Sequence, residues 1–190
     1  MYNLIRERLQ DSIQVKQLLI DNELIQAAIS KLSDEIIKAI KNGNKVVICG
    51  NGGSAADALH FAGEIVGRFQ RERNSWPAIV LNADVATMTA IANDYGYENV
   101  FARQAEGYIN SGDVFIGIST SGNSENIYRA TVAAKRKGAV TAALLGNGGG
   151  RLGKETEQPI IVPSSNAARI QESHITLIHI ICEIIEKGLL

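Results

Sequence analysis

Apolar side chains fall into two rhythms along this chain. From Tyr2 to about Asn42, Leu4, Leu9, Ile13, Leu18 and Leu19, then Ile25, Ala28, Ile29, Leu32, Ile36, Ile37 and Ile40, recur mostly at three- and four-residue steps. That spacing puts them on one face of a helix, and it predicts two amphipathic helices broken near Asp21 and Asn22. Beyond Asn42 the rhythm changes to short apolar runs bounded by turn residues: Lys45 to Gly50, Pro77 to Leu81, Val114 to Ser119, Val140 to Gly146 and Pro159 to Pro163. Runs without alternation suit strands buried on both faces of a parallel sheet. Helical patterns separate them at about Ser54 to Phe69, Asp84 to Ala92, Asn99 to Asn110, Ser124 to Lys137 and Ala167 to Leu189. The predicted fold is α/β, an open parallel five-stranded sheet flanked by helices, with residues 43–190 as its core and residues 1–42 as a helical extension. The glycine-rich Gly146 to Gly153 reads as a flexible turn.

With 190 residues and 45% hydrophobic content, the chain has the size and apolar surface of one domain. Nineteen basic residues against twenty acidic ones, with no basic run, argue against nucleic acid as a ligand. Cys49 and Cys182 lie far apart inside apolar stretches, outside any CxxC spacing, and read as buried reduced thiols. The N-terminus is charged within ten residues and no uncharged apolar stretch reaches eighteen, so no membrane segment is expected and the expected location is the cytoplasm.

In an open parallel sheet, ligands bind where strand-to-helix loops gather beyond the strands' carboxyl ends. The loop after Cys49 is "GNGGS", with Gly52 and Gly53 able to approach an anion and Ser54 suited to cap the following helix. It lacks the P-loop lysine and the GxGxxG spacing, which disfavours a nucleotide. The loop after Ile118 is "STSGNSEN", where Ser119, Thr120, Ser121 and Ser124 precede a helix start; neutral hydroxyls and free amides there can hold a phosphate monoester.

His60 and Glu64 stand four apart on a predicted helix, on one face, as metal ligands or an acid/base pair would. Asp57 lies on a similar face as a candidate partner of His60, with an exposed or capping role as the plainer reading. The last helix is apolar around most of its circumference yet carries Gln171, Glu172, His174 and His179. Inward-facing polar groups there need partners. On a helical wheel Gln171 and Glu172 both lie near His179 while His174 points away, so angle alone does not choose between Gln171 and Glu172.

"CGNGGSAADALHFAGE", "ANDYGY", "GISTSGNSENI" and "RIQESHITLIHI", in this order, resemble the bacterial phosphoheptose isomerases of the sugar isomerase (SIS) domain superfamily, and the likeness runs nearly end to end. The resemblance implies a three-layer αβα SIS domain over residues 1–190 and a homotetramer in which the N-terminal helices pack between subunits. It implies conversion of sedoheptulose 7-phosphate to D-glycero-D-manno-heptose 7-phosphate through an enediol, the first step of ADP-heptose synthesis for lipopolysaccharide core. It places one zinc per subunit on His60, Glu64, Gln171 and His179. It places substrate contacts on Gly52, Gly53, Ser54, Glu64, Asn93, Asp94, Ser119, Thr120, Ser121, Ser124 and Gln171.

Moving a proton between C1 and C2 needs an acid/base group over that carbon pair and something to polarise the adjacent oxygens. Glu64 and His179 are the expected catalytic pair, with zinc as Lewis acid. A carboxylate committed to a metal is a poor free base, so either Glu64 leaves the metal during turnover or His179 takes the larger share. Arg68 and Arg169 are further candidate anion partners, with solvation as their default state. The alternatives are another sugar-phosphate isomerase or a non-catalytic SIS paralogue that regulates replication initiation, which the metal-binding set disfavours.

Overall fold

The computed structural model describes residues 2–190. Two helices open the chain, α1 (Tyr2–Ile20) and α2 (Glu23–Lys41), and the break falls where expected. Asn22 caps α2, its side-chain oxygen accepting the Ile25 N–H at 3.1 Å. There follow β1 (Val46–Gly50), α3 (Gly53–Val66), β2 (Ala78–Val80), α4 (Val85–Tyr95), α5 (Val100–Tyr108), β3 (Val114–Ser119), α6 (Glu125–Arg136), β4 (Val140–Leu145), α7 (Leu152–Glu155), β5 (Gln158–Ile161) and α8 (Ala167–Leu189).

The five strands form one parallel sheet in the order β2-β1-β3-β4-β5. Side chains alternate across it and build two cores. Val46, Ile48, Val114, Ile116, Ile118, Ala142 and Leu144 pack toward α2, α3 and α8, and α1 joins this core from outside by packing on α2 and α8. Val47, Cys49, Phe115, Ala143 and Leu145 pack on the other face, toward α5, α6 and α7. Burial of both faces explains the unbroken apolar runs of β1 and β3. The edge strands depart from that expectation: β2 is half-buried throughout and β5 alternates, because each has a neighbour on one side only. The N-terminal helices share the first core, although α1 buries only Val15 and Leu19.

Strand order reverses direction between β1 and β3, which lie side by side with Gly50 opposite Ile118. At that switch point the chain leaves these two strands toward opposite faces, α3 joining the first core and α6 the second. Helix α6 approaches the sheet closely, since a Cβ on Gly117 would stand 2.6 Å from Ile127 of α6.

Three local expectations are corrected. The Gly146 to Gly153 stretch is not a flexible turn: it holds a 3-10 turn at Asn147–Gly149 and the start of α7. The Leu152 N–H donates to Gly122 O and the Arg151 N–H to Asn123 Oδ1, so this stretch braces the hydroxyl loop from behind. Helix α4 runs three residues further than its apolar pattern, to Tyr95, which puts Asn93 and Asp94 on its last turn rather than in a loop. Ser54 does not cap α3; Gly52, at φ 55°, occupies the cap position and Ser54 is buried inside the first turn. Among the described residues no helix is long and apolar enough to cross a membrane.

Candidate active site

Helix α3, which starts from the loop after β1, packs against α8, and the two helices carry the centre of the site. His60 Nε2 lies 2.9 Å from His179 Nε2 and 3.2 Å from Glu64 Oε1. One donor atom from each of His60, Glu64 and His179 falls within 4.8 Å of the others. The rings of His60 and His179 are tilted by 53° with centroids 5.0 Å apart. Two imidazole nitrogens and a carboxylate oxygen converging on one point are the donor set of three-ligand catalytic zinc sites, so these residues fit a divalent metal.

Gln171 and Glu172 are separated by their surroundings. The Gln171 amide lies over Gly53, so close that a Cβ there would stand 2.5 Å from Nε2. Glu172 is gripped instead by the guanidinium of Arg169, with Nε 2.8 Å away, which holds its carboxyl below the usual range. Arg169 also donates to Arg8 O, so it is committed to α1 and α8 rather than to an anion. Gln171 is thus the residue of the pair that borders the glycine loop. His174 is fully buried against Leu145 O at 3.1 Å and belongs to the core.

The loop after β3 folds around its own hydroxyls. Ser119 Oγ lies 3.0 Å from Ser124 Oγ and 3.5 Å from Ser121 Oγ, and it accepts the Gly122 N–H at 3.2 Å. Ser124 occupies the cap position of α6 but spends its hydroxyl on Ser119 instead of a helix amide. Glu125, in the first turn, would repel an anion; Arg129 at 2.8 Å and Arg151 at 2.7 Å neutralise it and lower its pKa. Thr120 is half-buried beside these serines.

The remaining predicted residues spread around this centre. Asn93 Nδ2 donates to Asp94 Oδ1 at 2.8 Å, both side chains exposed at the end of α4. Arg68 pairs with Glu72 in solvent. Asp57 is neither exposed nor a cap: one carboxylate oxygen is buried without a hydrogen-bond partner, and burial raises its pKa against the pull of His60.

Sequence reasoning missed two supports. Asn51 carries a side-chain network between the loops, visible beforehand only as one more polar turn residue. The other is a buried ion pair, Arg73 to Glu186, at 3.2 Å. Burial pushes the Glu186 carboxyl up, yet the N–H groups of Gln70, Phe69 and Arg71 and the Arg73 guanidinium outweigh it and hold it low. Arg73 in turn donates to Glu64 O at 2.7 Å and lies over Trp76. This cluster ties the end of α3 to α8 and presents Phe69, whose ring stacks on His179 with centroids 5.6 Å apart.

The chain is similar to known proteins in both sequence and fold. Residues 13–146 match the family model for the SIS domain. A phosphoheptose isomerase of Sulfurimonas denitrificans is 48% identical over 187 residues, covering 98% of this chain and 96% of the relative. Solved phosphoheptose isomerases from Francisella tularensis and Neisseria gonorrhoeae superpose with TM-scores of 0.93 and 0.91, each at 36% identity and covering 98% of both chains. Matched in sequence and fold over nearly its whole length, the chain belongs to the SIS domain family and, within it, to the phosphoheptose isomerases.

Proposed function

We propose that this isomerase converts sedoheptulose 7-phosphate to D-glycero-D-manno-heptose 7-phosphate and depends on one zinc per subunit, feeding ADP-heptose synthesis for lipopolysaccharide core. The observation that carries this reading is the convergence of His60 and Glu64, on the helix that leaves the glycine loop, with His179 of α8, whose Gln171 lies over Gly53. A purely regulatory SIS protein has no need of such a cluster.

Ser119, Thr120, Ser121 and Ser124, with the amides opening α6, hold the phosphate. Gly52, Gly53 and Ser54 form the facing wall, while Asn93 and Asp94 bind sugar hydroxyls. Glu64, freed from any metal during turnover, takes the proton from one of C1 and C2 and returns it to the other, and His179 moves protons at the adjoining oxygens. A zinc ion held by His60, Glu64, Gln171 and His179 would supply Lewis acidity at those oxygens. The exposed apolar positions of α1, Leu4, Ile5, Leu9 and Ile13, support a homotetramer packed through residues 1–42, with residues 1–190 as a single SIS unit. Buried thiols at Cys49 and Cys182 suit the cytoplasm, where thiols stay reduced.

The test is turnover of sedoheptulose 7-phosphate with metal analysis alongside. Activity lost to a chelator and restored by zinc supports the reading. Full activity in metal-free protein would overturn the metal role, and no turnover in zinc-loaded protein would overturn the substrate.

A further inference from the structure

Three segments meet at one side-chain amide. Asn51 Nδ2 donates to Asn126 Oδ1 at 2.9 Å, and Asn126 Nδ2 donates back to Asn51 Oδ1 at 2.9 Å. The Tyr97 hydroxyl donates to the same Asn51 oxygen at 3.0 Å. Asn51 sits in the loop after β1, Asn126 in the first turn of α6, and Tyr97 in the 3-10 turn that follows Asn93 and Asp94. Asn126 is 2% exposed and its Oδ1 also accepts the Ile127 N–H. Arg129 of α6 braces the Tyr97 turn by donating to Asn99 Oδ1 at 2.9 Å.

A reciprocal amide pair satisfies two donors and two acceptors at once and is directional; here the pair is partly buried and the Tyr97 bond is exposed. Its effect passes along the backbone, because Asn51 O accepts the Ser54 N–H at 3.0 Å and Gly52 between them turns through φ 55°. Tilting the Asn51 side chain therefore moves Gly52 and Gly53 relative to the serine loop.

We propose that Asn126 and Tyr97 are positioning residues for the phosphorylated sugar. Acting through Asn51, they lock the glycine loop to the hydroxyl loop and to the segment carrying Asn93 and Asp94, so they govern substrate binding and leave proton transfer unchanged. This rests on the isomerase reading above.

Tyr97→Phe is the decisive variant, since it removes one oxygen from a side chain that is 55% exposed and spares the fold. Loss of one neutral hydrogen bond predicts a KM raised about fivefold, with kcat within about twofold of the parent. Inorganic phosphate, titrated by calorimetry into the zinc-loaded protein, should bind about fivefold more weakly, while zinc content holds and Tm falls by no more than a few degrees. Asn126→Ala should shift both affinities further, at some cost in Tm. Unchanged KM and phosphate affinity in Tyr97→Phe, or a fall in kcat at constant KM, would overturn the proposal. If the parent fails to turn over the heptulose phosphate, the isomerase reading falls, and the phosphate titration still decides the positioning role.

Discussion

His60 and His179 lie 119 residues apart in sequence and bring their Nε2 atoms within 2.9 Å of each other. Neither helix alone offers more than half a ligand set. Removing an outer support of a metal ligand costs roughly 10- to 100-fold in affinity, so removing a ligand outright should cost at least about 100-fold. His60→Ala and His179→Ala are therefore expected to purify folded and without zinc. Competition with a chromogenic chelator checks this independently of activity, and retained tight zinc binding in both variants would remove the site from this pair.

Glu64 sits 3.2 Å from His60 Nε2 with its carboxylate partly exposed. Glu64→Gln keeps the shape and removes the base, so kcat should fall by roughly 100- to 10,000-fold. Exchange of the substrate's C1/C2 proton with solvent should stop, while inorganic phosphate still binds. Exchange that persists in this variant would assign the base to His179.

Much of this site was legible in the sequence because its signals are local. The serine loop, the glycine loop and the His60/Glu64 spacing each lie within a few residues, and β1 and β3 announce themselves by being buried on both faces. What escaped was set by tertiary contacts. Angle could not separate Gln171 from Glu172, because the choice depends on Arg169 gripping Glu172 and on the open backbone of Gly53 beneath Gln171. Asn51 and the Arg73–Glu186 pair were invisible for the same reason, their partners lying 75 and 113 residues away. The glycine-rich Gly146 to Gly153 misled because its role is to brace Gly122 and Asn123, a contact that no periodicity encodes.

Two glycines of the first loop should fail in different ways. A Cβ on Gly50 would stand 2.3 Å from the Ser54 carbonyl oxygen, a backbone atom that cannot move without unwinding α3. Gly50→Ala should cost about 3 kcal/mol of stability. A Cβ on Gly53 meets only the end of the flexible Gln171 side chain. Gly53→Ala should keep Tm within a few degrees, since alanine favours the helix by about 1 kcal/mol, yet lose turnover as Gln171 is displaced. Thermal unfolding beside an activity assay separates the two, and equal stability losses would contradict the contact.

His174 supplies a pH signature. Burial pushes its imidazole from the ordinary 6.5 down to about 4, against the raising effect of its hydrogen bond to Leu145 O. Its Nδ1 is buried without a partner, so the folded state holds the neutral ring. The unfolded chain takes up a proton near pH 6.5 while the native protein does not until about pH 4, so this stability is present above pH 6.5 and lost as pH falls toward 4. A gap of this size corresponds to about 3 kcal/mol by linkage. His174→Gln, which can still donate to Leu145 O but does not titrate, should flatten that slope. Denaturant unfolding at pH 7, 6, 5 and 4 measures it, and an undiminished slope in His174→Gln would show that the acid sensitivity arises elsewhere.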